Sequence, residues 1–482
     1  MKKKVIALSL VTVATLAFAA SPSHSELQSQ INKLQAQLNS MSSSSSSSFD
    51  SKVARLEKTV SKIRAHDAGD NIKWDVDFRT SVDRITYTHA DGTKSKNNGL
   101  LTNRLWLGMK FAPSENVSFY GRLSYLKAYG AEVDNSQRSA SPNNDADFDW
   151  ITNENAQGNN TLNVKQAYWL YRNNTFLGAD MPWSASIGRR PSTDGLLANF
   201  REDQKRQSAL AHTVNVEFDG ASFKWNLEKV TPLTGSWIKL CMGRGITNAK
   251  SRFKSDGTDY ATSTNQEANS NMVGFIFVPY DDGQYSIHTN YAHANNLIGF
   301  ANMADAGANN FTSFGSITYL TAAFVADGIG DEINDFLDNT KFFVSYAQSK
   351  TSPDAGNAML GSPDDETGHS TWIGVQMPGI SEGDRFGLEW NKGSKYWRSM
   401  TYGEDTMIGS KVATRGTALE AYYHKPLTKA LSLSVRYTKI DYDYTGSNGF
   451  FGSYGKPTAI ADAGNTAIKK AEDIRAYIRY RF

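Results

Sequence analysis

The sequence predicts an all-β transmembrane fold: an antiparallel closed β-barrel of about 16 strands, with 18 also possible, preceded by a short helical coiled-coil segment. Three observations predict it. Residues 471–482 alternate strictly, with Ile474, Ala476, Ile478, Tyr480 and Phe482 on one face and Asp473, Arg475, Tyr477, Arg479 and Arg481 on the other. Because strand side chains alternate with period two, one face suits hydrocarbon and the other suits water. The chain also opens on a secretory pattern and contains no later run near the roughly 18 apolar residues of a spanning helix. A closed barrel is then the way left to cross a bilayer, since every backbone group must be paired there.

Taken in order, residues 1–19 read as a signal peptide. Lys2, Lys3 and Lys4 are followed by an apolar run and by Ala17, Phe18 and Ala19, so cleavage after Ala19 is expected. The formal charge of +2 rests on 51 basic and 49 acidic residues. Removing three lysines leaves 48 against 49, a mature chain near −1 that offers nucleic acid no basic surface. Cys241 is the single cysteine, which excludes an internal disulfide or a cysteine-rich metal site, and no cofactor is implied.

Residues 20–70 read as a periplasmic coiled-coil stem with a serine-rich break. Leu27, Ile31, Leu34, Leu38 and Met41 keep heptad spacing, as do Phe49, Val53, Leu56, Val60 and Ile63. Ser42 to Ser48 separates the two seams and slips the repeat by one position. Two readings stand open: self-association, most simply as a trimer, and a lone amphipathic helix under the barrel.

Residues 71–482 read as strand after strand. Ile72, Trp74, Val76 and Phe78 alternate with Lys73, Asp75, Asp77 and Arg79. Further strands are expected at 101–111, 117–129, 161–172, 183–190, 211–218, 236–246, 271–279, 284–295, 313–325, 341–350, 370–378, 384–391, 417–425 and 431–445, before the last. If the first strand rises from the periplasm, the turns 112–116, 281–283, 378–379 and 426–429 fall on that side, and the polar stretches 88–99 and 130–160 fall outside. An even count with both ends in the periplasm closes the bookkeeping. Phe223, Trp225 and Leu227 are the weak point, because they would form a further strand.

The terminal Tyr480-Arg481-Phe482 resembles the C-terminal signal of bacterial outer-membrane barrels, which implies recognition by the barrel assembly machinery through Tyr480 and Phe482. With the signal peptide, the stem and the turn-then-strand segment 423–433, the chain looks like Gram-negative general or anion porins that carry an N-terminal stem. Residues 187–192 and 243–246 are similar to a family of uncharacterised proteobacterial outer-membrane barrels. The resemblance implies an outer-membrane location, contact with outer-membrane lipid and lipopolysaccharide, and a third outer loop that folds into the barrel as a constriction. Arg190, Arg201, Glu202, Asp203, Lys205 and Arg206 would line that opening, with Asp194 capping a short helix that carries Leu196, Leu197 and Phe200.

Turning each polar strand face inward places Lys73, Arg79, Arg104, Lys110, Arg122, Lys165, Arg190, Arg436, Arg475, Arg479 and Arg481 in the lumen, against Asp75, Asp77, Glu389, Glu420 and Asp473. A basic excess in a water-filled pore favours anions. The charges on the first and last strands also suit pairing with each other at the seam where the barrel closes. Arg190, Arg201 and Arg206 are expected to dominate selectivity, since charges beyond about 8 Å are screened at physiological salt. Catalysis finds no support in the spacing: His288 and His293 lie five apart on one strand and so face opposite ways. The acidic clusters Asp331, Glu332, Asp335, Asp338 and Asp364, Asp365, Glu366 lack the spacing of a calcium loop. The expected function is passive diffusion of small hydrophilic solutes, leaning towards anions, in a homotrimer; the alternative is a structural barrel that ties the envelope together through its stem.

Overall fold

The computed structural model describes residues 72–130, 162–190, 195–206, 209–246, 269–301, 312–330, 333–401 and 406–482, together with scattered positions between 28 and 36. By its internal contacts the chain divides into Met1–Asn71 and Ile72–Phe482. In the first unit Gln28, Ser29, Asn32, Lys33, Gln35 and Ala36 are helical and exposed. The seam residues of the expected coiled coil, the serine break and the signal segment lie outside the described residues.

The second unit is one closed antiparallel barrel of sixteen strands. These are β1 (Lys73–His89), β2 (Lys94–Phe111), β3 (Val117–Ala128), β4 (Asn163–Asn173), β5 (Trp183–Arg190), β6 (Phe218–Asn226), β7 (Trp237–Ile246) and β8 (Ser270–Asp281). They continue as β9 (Tyr285–Gly299), β10 (Thr312–Asp327), β11 (Lys341–Pro353), β12 (Thr367–Pro378), β13 (Arg385–Gly393), β14 (Gly416–Pro426), β15 (Leu431–Tyr442) and β16 (Ile468–Arg481). Each strand pairs with its neighbours in sequence, and β1 closes on β16. Closure removes both edges, which a sheet in lipid cannot leave unpaired.

Two expectations are corrected here. Residues 88–99 do not form an outer loop: β1 and β2 continue to a tight turn at 90–93, in which the Asp91 side chain accepts from the Thr93 backbone N–H. Residues 211–218 are not a strand, and the sixth strand is the Phe223 and Trp225 segment instead. The loss of the expected strand at 211–218 and the gain of β6 compensate, so the count is sixteen and not eighteen.

Alternation along each strand has the expected consequence. On β16, residues Ala471, Asp473, Arg475, Tyr477 and Arg479 are buried while Ile474, Ile478 and Tyr480 are exposed. Val82, Ile187, Phe275, Leu320, Leu388 and Val435 on other strands are similarly exposed. An apolar belt of that extent round a whole molecule would aggregate in water and is at home in lipid. Trp74, Phe119, Trp169 and Tyr480 sit near the strand ends on the short-turn side, where an aromatic girdle meets the membrane interface. The second unit is thus a closed sixteen-strand barrel with an outer face suited to lipid.

Residues 191–217, between β5 and β6, form the third loop on the long-loop side, and its described part is buried over most of its length. It carries one helical turn, α1 (Ala198–Arg201), with Leu197 at its N-terminus and no side-chain cap; Asp194, the expected cap, lies outside the described residues. Leu196, Leu197, Ala198, Leu210 and Ala211 pack on inward residues of β10 to β12, including Ala323, Phe343 and Trp372. Val214, Val216 and Phe218 join a second cluster with Ile317 and Tyr319 of β10, Met359 and Leu360 after β11, Met400 after β13 and Phe451 after β15. A fully buried Leu or Val contributes about 1.5–3 kcal/mol, so several together hold a loop firmly against the inner wall. This inner apolar wall is absent from the sequence-based picture of a uniformly polar lumen.

Candidate functional site

The third loop crosses the lumen and divides it. Its carboxylates and guanidinium meet the wall formed by β1 and β12 to β16. Arg201 Nε donates to Glu202 Oε1 at 2.7 Å, and its Nη1 lies 3.4 Å from Glu420 on β14. Arg436 on β15 reaches Glu202 at 3.4 Å, and Arg479 on β16 donates to the Glu202 backbone carbonyl at 2.6 Å. Lys411, from the loop between β13 and β14, bridges Glu420 and lies 2.6 Å from Glu389 of β13. Asp203 accepts from Arg481 and Arg385 and lies 3.3 Å from His424 Nε2. Burial works against its charge, but the His424 hydrogen bond and the two guanidinium groups hold its carboxyl well below the usual carboxylate range.

The barrel seam adds to this paired half. Asp77 bonds Arg479 and stands 3.6 Å from Arg104, while Asp83 bonds Arg475. Register explains the pairing, since Asp83 lies opposite Arg475 and Asp77, opposite Arg481, lies diagonal to Arg479. The expected pairing held for Asp77 but not for Lys73 and Asp75. Val76 already bonds Phe482, so the first strand runs past the chain end and leaves Lys73 and Asp75 exposed at the short-turn rim rather than beside β16. Arg79, Arg104, Arg436, Arg475 and Arg479 face inward as expected, yet all are buried. They meet carboxylates, loop backbone and rings instead of lining open water. Buried charges persist only when paired, so this half of the lumen is a packed, dry interior.

The opposite wall, β2 to β7, has another character. Lys110, Arg122, Arg172, Arg190, Lys224 and Lys239 face inward and none is fully buried. Among the described residues no carboxylate lies within ion-pair distance of any of them. Their company is aromatic and hydroxylic: Arg190 lies 4.3 Å from the Tyr168 ring and donates to Ser222 Oγ at 3.2 Å. Arg122 lies 5.0 Å from the Trp106 ring, Lys224 lies 4.1 Å from the Trp237 ring, and Arg172 donates to the Tyr120 hydroxyl at 3.1 Å. Lys205 and Arg206 of the third loop are exposed, and Arg206 Nη1 lies 3.5 Å from His288 Nε2 on β9. The structure therefore splits the expected constriction set: Arg201 and Glu202 are sealed in ion pairs, Asp203 anchors the loop, and Lys205, Arg206 and Arg190 remain accessible. Lys165, expected in the lumen, is buried on Glu217 at 3.1 Å.

Sequence reasoning missed Lys224, because β6 was placed seven residues too early, and Lys239, although its strand was expected at 236–246. It also missed Lys411, which sits in a loop where no alternation marks it as inward.

The family model for a protein of unknown function, DUF3373, matches residues 94–482. The chain belongs to this family. No curated protein matches it. Among solved structures it is similar to OprB of Pseudomonas putida at high pH, with 13% identity, 88% of this chain and 96% of that chain covered, and a TM-score of 0.47. It is similar also to the anion-selective porin from Comamonas acidovorans, at 11% identity over 86% of this chain and 99% of that one, TM-score 0.44. The trimer form of OmpT from Vibrio cholerae matches at 10% identity over 86% and 99%, TM-score 0.42. Likeness at this level bears on no question of function, which rests on the lumen described above.

Proposed function

We propose that this barrel is a porin for passive diffusion of small hydrophilic solutes, leaning towards anions, with its path displaced from the centre onto the β2 to β7 wall. The observation that carries the reading is the unequal distribution of charge. Acids and bases are matched on the packed half, whereas the opposite wall presents six cations that, among the described residues, have no carboxylate within ion-pair distance, beside the partly exposed rings of Tyr120 and Tyr168. A solute anion close to that wall is attracted where the local dielectric is low, while a cation is repelled. Arg190, Lys205 and Arg206 would lie at the narrowest part of this path. A homotrimer in outer-membrane lipid and lipopolysaccharide, a periplasmic stem and assembly through Tyr480 and Phe482 complete the proposal.

A second reading, a structural barrel tethered through its stem, is favoured by the dry ion-paired packing of the third loop against β12 to β16. Swelling of liposomes that contain the purified protein separates the two. Diffusion predicts that vesicles swell in isotonic small sugars and amino acids at rates falling steeply with solute size. Vesicles that stay impermeable to all of them would contradict the porin reading and leave the tether.

A further inference from the structure

A cavity of about 60 Å³ lies inside the barrel between the third loop and the wall from β5 to β9. At roughly 10–15 Å³ per water-sized occupant, it accommodates about four to six such occupants. Its polar lining comes from Arg190, Ser222, Lys239 and Asn290, with Val214 of the third loop, Phe218 of β6 and Ile276 of β8 supplying apolar walls. Gly220, Gly243 and Gly274 also line it.

The charges round this cavity do not balance. Lys224 and Lys239 are direct cross-strand partners on the inner face. Like charges so placed destabilise a sheet unless something negative lies between or beside them. Arg206 is near enough to repel Lys224, and Arg190 to repel Lys239. Asp281 acts on Arg206 and Lys224 through space but forms no ion pair with either. The Nε of Arg190 is buried and has no hydrogen-bond partner, although its Nη2 is held by Ser222. Buried donors are ordinarily satisfied, so this N–H suits a further acceptor.

We propose that this cavity is a binding site for a compact multivalent oxyanion of the phosphate or sulfate class. Arg190 and Lys239 line the cavity and Lys224 stands opposite Lys239, so the cationic excess calls for more than one negative charge, and a tetrahedral ion presents acceptor oxygens to Arg190, Lys239, Ser222 and Asn290 at once. The site deepens the anion preference proposed above, and it rests on that reading only in supposing that solute reaches the lumen.

Isothermal titration of inorganic phosphate, and separately of sulfate, into the detergent-solubilised full chain at low salt tests the site without requiring conduction. Saturable binding is expected, weakened about tenfold or more by Arg190→Gln or by Lys239→Gln, as loss of a charge-assisted hydrogen bond implies. Lys392→Gln with Lys395→Gln, at the end of β13 and just beyond it, should bind as the parent does. A second measurement guards against misfolding: the temperature at which the folded, fast-migrating form is lost on SDS gels. Phosphate should raise it for the parent, and without phosphate Lys239→Gln should raise it by relieving the Lys224 repulsion. Absence of saturable binding, unchanged affinity in both variants, or a lower unfolding temperature for Lys239→Gln would overturn the proposal. If binding is found but liposomes do not swell, the site stands and the porin reading falls; the reverse result removes the site alone.

Discussion

Glu420 and Lys224 occupy comparable inward positions on opposite walls of one barrel, and their neighbours decide what each can do. Glu420 is buried among Arg201, Lys411 and Arg436, so its charge is spent on holding the third loop. Lys224 has a ring beside it and a lysine opposite, so its field extends into the lumen. His212 shows how tightly the loop is seated: its two ring nitrogens meet Ser345 Oγ at 2.8 Å and Ser370 Oγ at 2.9 Å, and Trp372 and Trp397 close over it. Burial pushes its pKa down to about 3, so it is neutral when docked. The undocked loop takes up a proton below about 6.5, and the docked loop does not, so docking is fully stable above that pH and weakens as pH falls towards 3. Between pH 7 and 5 the loss is about 2 kcal/mol. Cleavage of the third loop by added protease should therefore accelerate on acidification, and His212→Gln should flatten that dependence; an unchanged pH profile in the variant would assign the effect elsewhere.

The legible elements were those with one wet and one oily face. The alternation on β1 and β16 located the seam and predicted which side chains of the last strand turn inward. It misled at 211–218, where Val214, Val216 and Phe218 alternate with Thr213, Asn215 and Glu217 as a strand would. That segment is a turn at 211–213 followed by an irregular stretch inside the barrel, with Val214 bridged in parallel to Met400, Thr213 bonded by Asn290 and Thr321, and Glu217 bonded by Lys165. Period two records two different environments on two sides, not membership of the sheet. The true β6 was obscured because Gly220, Ala221 and Ser222 carry little hydrophobic signal. Their smallness has a packing reason: an ideal Cβ on Gly220 would stand 2.0 Å from the Met242 carbonyl oxygen, and one on Gly188, the residue opposite it at φ +132°, would stand 2.3 Å from the Ala167 carbonyl oxygen. Gly220→Val should thus separate β6 from β7 and cost more than the 1–3 kcal/mol typical of overpacking. The variant should lose its heat-modifiable form at a lower temperature, whereas Gly99→Ala, with nothing within 4 Å, should behave as the parent. Equal behaviour of the two would refute the close approach.

At the scale of the whole molecule, composition and pattern made the barrel, its closure and its membrane setting readable, because lipid imposes the same rule on every strand. The division of the lumen was not readable, since it depends on which wall the third loop leans against. That choice is made by long-range partners: Leu197 with Trp372, Arg201 with Glu420, and Asp203 with Arg481. Arg201 was consequently expected among the selective charges, and its burial at 5% exposure in an ion pair removes it from them. Selectivity should instead follow Lys110, Arg122 and Lys224 on the wall, which an ion passes within a Debye length of about 8 Å. Reversal potentials of single channels in planar bilayers under a potassium chloride gradient test this most directly. The parent should open in regular steps and reverse towards the chloride potential, and replacing Lys110, Arg122 and Lys224 together by Glu should move reversal towards potassium, most strongly at low salt. The same exchange at Lys350, Lys392 and Lys395 should change little. A parent that shows no steps, or triple variants that shift the reversal potential equally, would contradict a conducting path along the β2 to β7 wall.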